Sequence, residues 1–469
     1  MAGCRCGLIG VLLATIAGCF SERTIPMRPG DFVPVDFAAM ERSEPGDTRA
    51  WLRAAHASLS GLLPPGDPEA LPTNKLRDAN GRARDVFAHF GIKRDGLQSV
   101  FTNFSGLLHS AQAAGTSSDR PVAMWDGFED VWIPINDRLE LSGKLGFAHS
   151  GDKIGRADCV VLISGVFGNN NISRTYEIAL ALRSGGLHVL ALELRGAGRT
   201  AQRFPKTPYN FGAVEVGDLL AVSDWLESRP EVRRTGLIGY CWGANLALLT
   251  AWEDGREQDD ADVAANLRPH LHPRDGVRHF SAGIMAFSPT LRFEEVIAQL
   301  DQRRWSVWND PVLETLQKEV DEQAARQGFG DLHGSLRRLI EQEFIHTSWN
   351  YPNAFRDGLR YLRLMPFDDK PVGAKLEAAR MPVLVIHAAN DPLGAAQAVA
   401  DFVAPLENRH VAALVLAGGG HVGFIPYARA YAYSIILDFF DPQYGAAAYT
   451  RQAARHAAKF TAPSSGSTR

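Results

Sequence analysis

From about residue 159 onward, short apolar runs alternate with amphipathic stretches of helical length. The strand-like runs are 159–163, 187–192, 235–239, 280–286, 383–387 and 411–416, and helical stretches lie at about 173–184, 212–227, 244–252, 395–404 and 426–440. Continuous apolar runs suit strands buried on both faces, and their alternation with helices predicts a mostly parallel sheet covered on both sides, an α/β architecture. Upstream, 128–135 and 139–147 flank a short Asn136-Asp137 turn and predict an antiparallel hairpin on the edge of that sheet. Pro134 lacks a backbone N–H and fits an edge or a bulge.

Two regions break the alternation. Residues 19–120 begin rich in Pro and Gly, then carry helical patterns around 48–62 and 74–91, so a mostly helical N-terminal extension is expected. Residues 290–378 interrupt the βα series with charged helical stretches that carry Trp305, Trp308 and Trp349, and are expected to form a lid over the strand ends. The tryptophans read more simply as core of that lid than as substrate-stacking groups. The α/β core thus spans 121–289 and 379–445, with a polar tail at 446–469.

The first residues read as a targeting segment. Arg5 precedes an apolar, uncharged run over 8–18 that is too short to span a bilayer but suits a signal peptide. It ends Ile16-Ala17-Gly18-Cys19, which resembles the bacterial lipobox, in which the cysteine is lipidated after cleavage. Residues 1–18 are therefore expected to be removed, leaving a membrane partner through lipid on Cys19 at the periplasmic or outer face of a bacterial membrane. A secretory signal cleaved elsewhere is the alternative.

Composition narrows the classes. The chain has 469 residues, 45% hydrophobic and 22% charged, the balance of a globular protein with a sizeable core. Its formal net charge of −4 gives no basic footprint for nucleic acid, and no such partner is expected. Of the five cysteines, Cys4 and Cys6 leave with the signal and Cys19 takes the lipid, while Cys159 lies in a strand-like run and reads as an inert core thiol. Only Cys241 needs another account.

That account lies in Gly239-Tyr240-Cys241-Trp242-Gly243, which ends a short apolar strand and opens a helix. This is the pattern of a nucleophile elbow with Cys in the nucleophile position; the sharp turn lifts the side chain above the sheet at a helix N-terminus, where the dipole favours thiolate. After the 383–387 strand come Asn390 and Asp391, and after the 411–416 strand come Gly418-Gly419-Gly420-His421. The order nucleophile, acid, histidine assigns His421 as the base for Cys241 and Asp391 as the group that orients it. Earlier, Ser164-Gly165-Val166-Phe167-Gly168 forms the turn after the first parallel strand, where the Val166 N–H would join that of Trp242 in an oxyanion hole.

Weaker features read as structure. Glu193 to Gly198 lacks phosphate-loop spacing and reads as a turn. His270 and His272 lack a third ligand and read as a surface loop, His387 as a strand-end packing residue, and the acidic run over 253–262 as a solvated loop. No metal or cofactor is called for.

With these motifs in place, residues 125–440 resemble the α/β-hydrolase superfamily, in particular its esterase/lipase-like branch. The carriers are Ile386-His387-Ala388 leading to Asp391-Pro392, and Gly419-Gly420-His421-Val422-Gly423-Phe424. The branch uses Ser at the elbow and His-Gly in the oxyanion turn, where this chain has Cys241 and Ser164-Gly165; dienelactone hydrolases and polyhydroxyalkanoate synthases do use Cys, and the synthases carry a further Gly where this chain has Ala244. The resemblance implies an enzyme that hydrolyses a small acyl substrate, a carboxylic ester, lactone or thioester, through a thioester on Cys241. The alternatives are acyl transfer to another acceptor, or a silent binding lipoprotein that retains the elbow.

Overall fold

The computed structural model describes residues 48–64, 71–72 and, with interruptions that include 303–310, 348–360 and 365–374, residues 122–446. The signal-like segment with Cys19, the helical pattern at 74–91, His272, the three lid tryptophans and the tail beyond 446 lie outside the described residues.

A nine-stranded sheet organises the molecule. Its strands in chain order are β1 (Leu71–Pro72), β2 (Glu129–Asn136), β3 (Leu139–Gly146), β4 (Ala157–Ile163), β5 (His188–Glu193), β6 (Val232–Tyr240), β7 (Gly283–Phe287), β8 (Val383–Ala388) and β9 (Val411–Leu416). They lie side by side as β1-β9-β8-β7-β6-β4-β5-β3-β2. The six strands from β9 to β5 run parallel, whereas the β2–β3 hairpin and β1 add antiparallel edges. The hairpin is on the edge as expected, with a register shift between Pro134 and Asn136.

The helices follow the strands: α1 (Thr48–Leu59), α2 (Ser173–Ser184), α3 (Gly198–Arg203), α4 (Glu215–Glu227), α5 (Trp242–Asp254), α6 (Phe293–Gln302), α7 (Pro311–Gln327), α8 (Leu336–His346), α9 (Ala396–Val403) and α10 (Phe424–Phe440). Every residue of β5, β8 and β9 is buried, because helices cover both faces and leave no side for water. Two apolar cores result: Val161, Leu237 and Val385 point into one, Val160, Ile238 and Ile386 into the other. Each fully buried aliphatic side chain there contributes roughly 1.5–3 kcal/mol. None of the described helices is long and apolar enough to cross a membrane.

Two sequence expectations need correction. The apolar run at 280–286 does not begin as a strand: Phe280 sits at φ 51° in a turn whose Gly283 N–H donates to the Phe280 carbonyl, and β7 starts only at Gly283. The acidic run begins inside the protein, since Glu253 and Asp254 end α5 fully buried. Arg256 pairs with Glu253 at 3.1 Å, and His279 bonds Asp254 at 2.6 Å and Asp224 at 3.2 Å. Burial disfavours the His279 cation, but these two carboxylates hold its pKa up at about 9. His270 lies in a turn, as expected, with its partly exposed ring 2.9 Å from Asp224. The described part of the extension also supplies a strand, β1, beside its helix α1.

Candidate active site

The end of β6 and the start of α5 form a turn too sharp for ordinary side chains. Cys241 adopts φ 56° and ψ −120°, a conformation rare for any residue but glycine, and its N–H donates to the Phe287 carbonyl at 2.9 Å. The flanking glycines are a steric necessity. A Cβ on Gly239 would lie 2.2 Å from the Gly243 carbonyl oxygen, and one on Gly243 would lie 2.3 Å from the Ser164 oxygen. The elbow is thus pressed against the turn that follows β4.

His421 reaches the elbow through a strained loop after β9. Gly419 and Gly420 take φ 120° and 53°, and Val422 takes φ 56°. Two side chains pin this path: Asn390 Oδ1 accepts from the Gly420 N–H at 2.8 Å, and Ser288 Oγ accepts from the Val422 N–H at 3.1 Å. His421 Nδ1 then lies 3.0 Å from Asp391 Oδ2. Asp391 is fully buried and also accepts from the Leu393 and Gly394 N–H groups, at 2.8 and 3.2 Å.

The electrostatics follow from this packing. Burial pushes the Cys241 thiol up, yet the charge and hydrogen bonding of His421, aided by the Trp242 N–H, bring it below the usual thiol range. Burial likewise disfavours the His421 cation, but Asp391 and the Cys241 thiolate raise its pKa. Asp391 is held below the usual carboxylate range, because the His421 charge outweighs burial. Both shifts favour the thiolate–imidazolium form of the pair. Cys159, by contrast, is buried in β4 with its pKa pushed far up by desolvation.

Val166 and Trp242, the two expected oxyanion donors, line one cleft beside the elbow. Gly165 closes the gap between them: a Cβ there would stand 2.9 Å from Cys241 Cβ and 3.2 Å from its Sγ. The turn is fastened by a residue the sequence reading passed over. Asn170 is buried, accepts from the Ser164 hydroxyl, and donates to the carbonyls of Leu162, at 3.2 Å, and Leu192. It ties the turn to the ends of β4 and β5. The signal available was three asparagines, 169–171, placed directly after the glycine turn.

Structure thus brings Cys241, Asp391 and His421 together with Val166 and Trp242, whereas Cys19 is outside the described residues. Glu193 also has a structural use, accepting from the Arg199 N–H at 2.8 Å where α3 begins. Among the described residues, no three metal-ligating side chains gather.

Comparison with known proteins adds the following. A family model described as "Alpha/beta hydrolase family" matches residues 160–432. Similar solved structures include an esterase of Pyrococcus furiosus, with 17% identity, 68% of this chain and 96% of that chain covered, and a TM-score of 0.42. An acylaminoacyl peptidase of Pyrococcus horikoshii shows 18% identity, 67% and 41% coverage, and 0.41. Est1E of Butyrivibrio proteoclasticus shows 14% identity, 66% and 97% coverage, and 0.38. A search of curated proteins found no match.

Proposed function

This chain belongs to the α/β-hydrolase family, and on that premise we propose that it cleaves carboxylic esters, lactones or thioesters through a thioester acyl-enzyme on Cys241. One observation carries the reading: a partly exposed thiol at a strained elbow, paired with a histidine that a buried aspartate orients.

The reaction runs from the ion pair. The Cys241 thiolate attacks the acyl carbon, and the oxyanion that forms takes hydrogen bonds from the Trp242 and Val166 N–H groups. Collapse breaks the bond to the leaving oxygen or sulfur, which takes the His421 proton and departs as alcohol or thiol. Neutral His421 then removes a proton from water as the water oxygen attacks the thioester. The second collapse releases the carboxylic acid and restores thiolate and imidazolium. Asp391 keeps the imidazole in one tautomer throughout. A cysteine suits this scheme because His421 and the Trp242 N–H favour its ionised form.

Kinetics and labelling together test the reading. Cys241→Ala should lose about 10³-fold or more of ester hydrolysis, and iodoacetamide should alkylate Cys241 ahead of buried Cys159, abolishing activity. Full activity in Cys241→Ala would overturn the mechanism. The Ile16-Ala17-Gly18-Cys19 sequence also supports a lipid anchor at Cys19, since acyl chains supply the membrane affinity that a charged chain lacks. Cys19→Ala should then move the protein out of the membrane fraction or leave it unprocessed; unchanged fractionation with an unlipidated mature N-terminus would refute this.

A further inference from the structure

Beside the elbow, the turn after β4, the loop after β5 and the start of α5 form a cleft. Its walls are mostly rings. Phe167, Tyr209, Phe211 and Trp242 line it, with Leu194 and Leu246 between them. Phe211 is the hub, with its ring centroid 4.8 Å from Tyr209, 6.4 Å from Phe167 and 6.3 Å from Trp242, the last two edge-on. These walls are fixed: the Trp242 indole N–H donates to the Phe211 carbonyl at 2.9 Å, and its ring meets Phe293 edge-on at 5.4 Å. Gly165, which packs against Cys241, and Trp242, which follows it in the chain, belong to the cleft wall, so the cleft begins beside the thiol.

The ionisable groups at the cleft are already hydrogen-bonded. Arg195 grips Asp218 through two hydrogen bonds of 2.6 Å and donates to the Pro208 carbonyl at 3.0 Å. Glu215 accepts from the Asn210 and Gly212 N–H groups at 3.1 and 2.7 Å. With two buried carboxylates against one guanidinium, an acyl group that carried its own carboxylate would meet repulsion rather than a partner.

We propose that this cleft is the acyl subsite and that it selects uncharged aromatic acyl groups, such as benzoyl. The assignment rests on the acyl-enzyme reading above. A flat ring gains edge-to-face contacts with the fixed rings, whereas a flexible alkyl chain gives up rotamer freedom and has no such contacts to gain.

The test uses the full chain with four esters: methyl benzoate, methyl butanoate, methyl decanoate and monomethyl succinate. The wild type should show kcat/KM about tenfold higher for benzoate than for butanoate, the scale of one or two aromatic contacts, with monomethyl succinate poorest. Phe211→Leu should cut the benzoate value about tenfold and the butanoate value less than about threefold. Calorimetric titration of the Cys241→Ala protein should find methyl benzoate bound about tenfold more tightly than methyl butanoate, independently of turnover. Tight benzoate binding without turnover by the wild type would overturn the catalytic reading and leave the subsite standing. Turnover that favours decanoate or monomethyl succinate, equal loss on all esters in Phe211→Leu, or no binding preference for benzoate would overturn the subsite. Should Phe211→Leu fail to fold, the wild-type series and the titration decide alone.

Discussion

His387 Nε2 donates to the Gly394 carbonyl at 2.8 Å while lying only 3.8 Å from Asp391 Oδ2. The same short loop therefore offers two N–H groups to Asp391 and its carbonyl to a second, buried histidine. Burial lowers the pKa of His387, so it stands neutral beside the carboxylate and leaves the ion pair to His421. The sequence reading of His387 as a packing residue at the strand end holds, and the structure adds this loop contact.

His387→Phe should keep the fold but loosen the loop that sets Asp391. Turnover should fall about tenfold, roughly 1.4 kcal/mol in the barrier. His387→Gln, which keeps a donor for the Gly394 carbonyl, should recover most of it. Equal kcat in all three proteins would reduce His387 to packing.

The thiolate–imidazolium pair predicts a broad pH–rate profile. Its acid limb should fall below the usual thiol range, where Cys241 takes up a proton, and its alkaline limb at about 10, where His421 loses the proton it gives the leaving group. Asp391→Asn removes the charge that raises His421, so the alkaline limb should move to lower pH and kcat should drop. An unmoved alkaline limb would remove His421 from that role.

Glu343 gives a stability prediction. It projects from α8, fully buried, accepting from Gln323 Nε2 on α7 at 3.2 Å and from the Tyr209 N–H at 3.4 Å. Burial, with the nearby Glu215 charge, raises its pKa to about 8. The folded state thus holds this proton more tightly than the unfolded chain, so the contribution is full below about 4.5 and is lost as pH rises through about 8. Thermal unfolding across that window should show Tm falling with pH. Glu343→Gln should flatten the slope by roughly a few kcal/mol over the window. An unchanged slope in the variant would assign it to other groups.

Asn170→Ala should cost about 2–3 kcal/mol, because the Leu162 and Leu192 carbonyls would lose a buried donor. Activity should suffer in the folded fraction as well, since the Ser164–Gly168 turn loses its tie to the strand ends. A stable variant with unchanged kcat would show that the turn holds itself.

What the sequence disclosed was set by distance along the chain. The elbow carries its whole logic in five residues, because the steric demand at Cys241 is met by Gly239 and Gly243. The order of Cys241, Asp391 and His421 was legible too, since each follows its own apolar strand. Asp254 misled because its partner His279 is supplied from beyond the helix, and Glu253 because its pairing with Arg256 two residues after the helix does not by itself announce burial. Phe280 misled because its positive φ is a local backbone choice that an apolar residue does not advertise. Asn170 was missed because its acceptors are carbonyls, and carbonyls have no sequence signature.

Strand β1 pairs with β9 from more than 300 residues away, Leu71 opposite Val415 and Pro72 opposite Leu414. Just before it, α1 sets Trp51 edge-on against Phe439 at 5.3 Å, and Arg49 bonds the Val411 and Leu406 carbonyls. The described residues 48–64 and 71–72 are therefore a hem sewn along the sheet's far border. A shortened protein beginning at residue 122 would bare a row of β9 backbone groups beside an uncovered aromatic patch, an invitation for a second chain to add its own strand. Heterologous production is best served by keeping residues 48–72, even though they stand at the opposite end of the sheet from the β2–β3 hairpin.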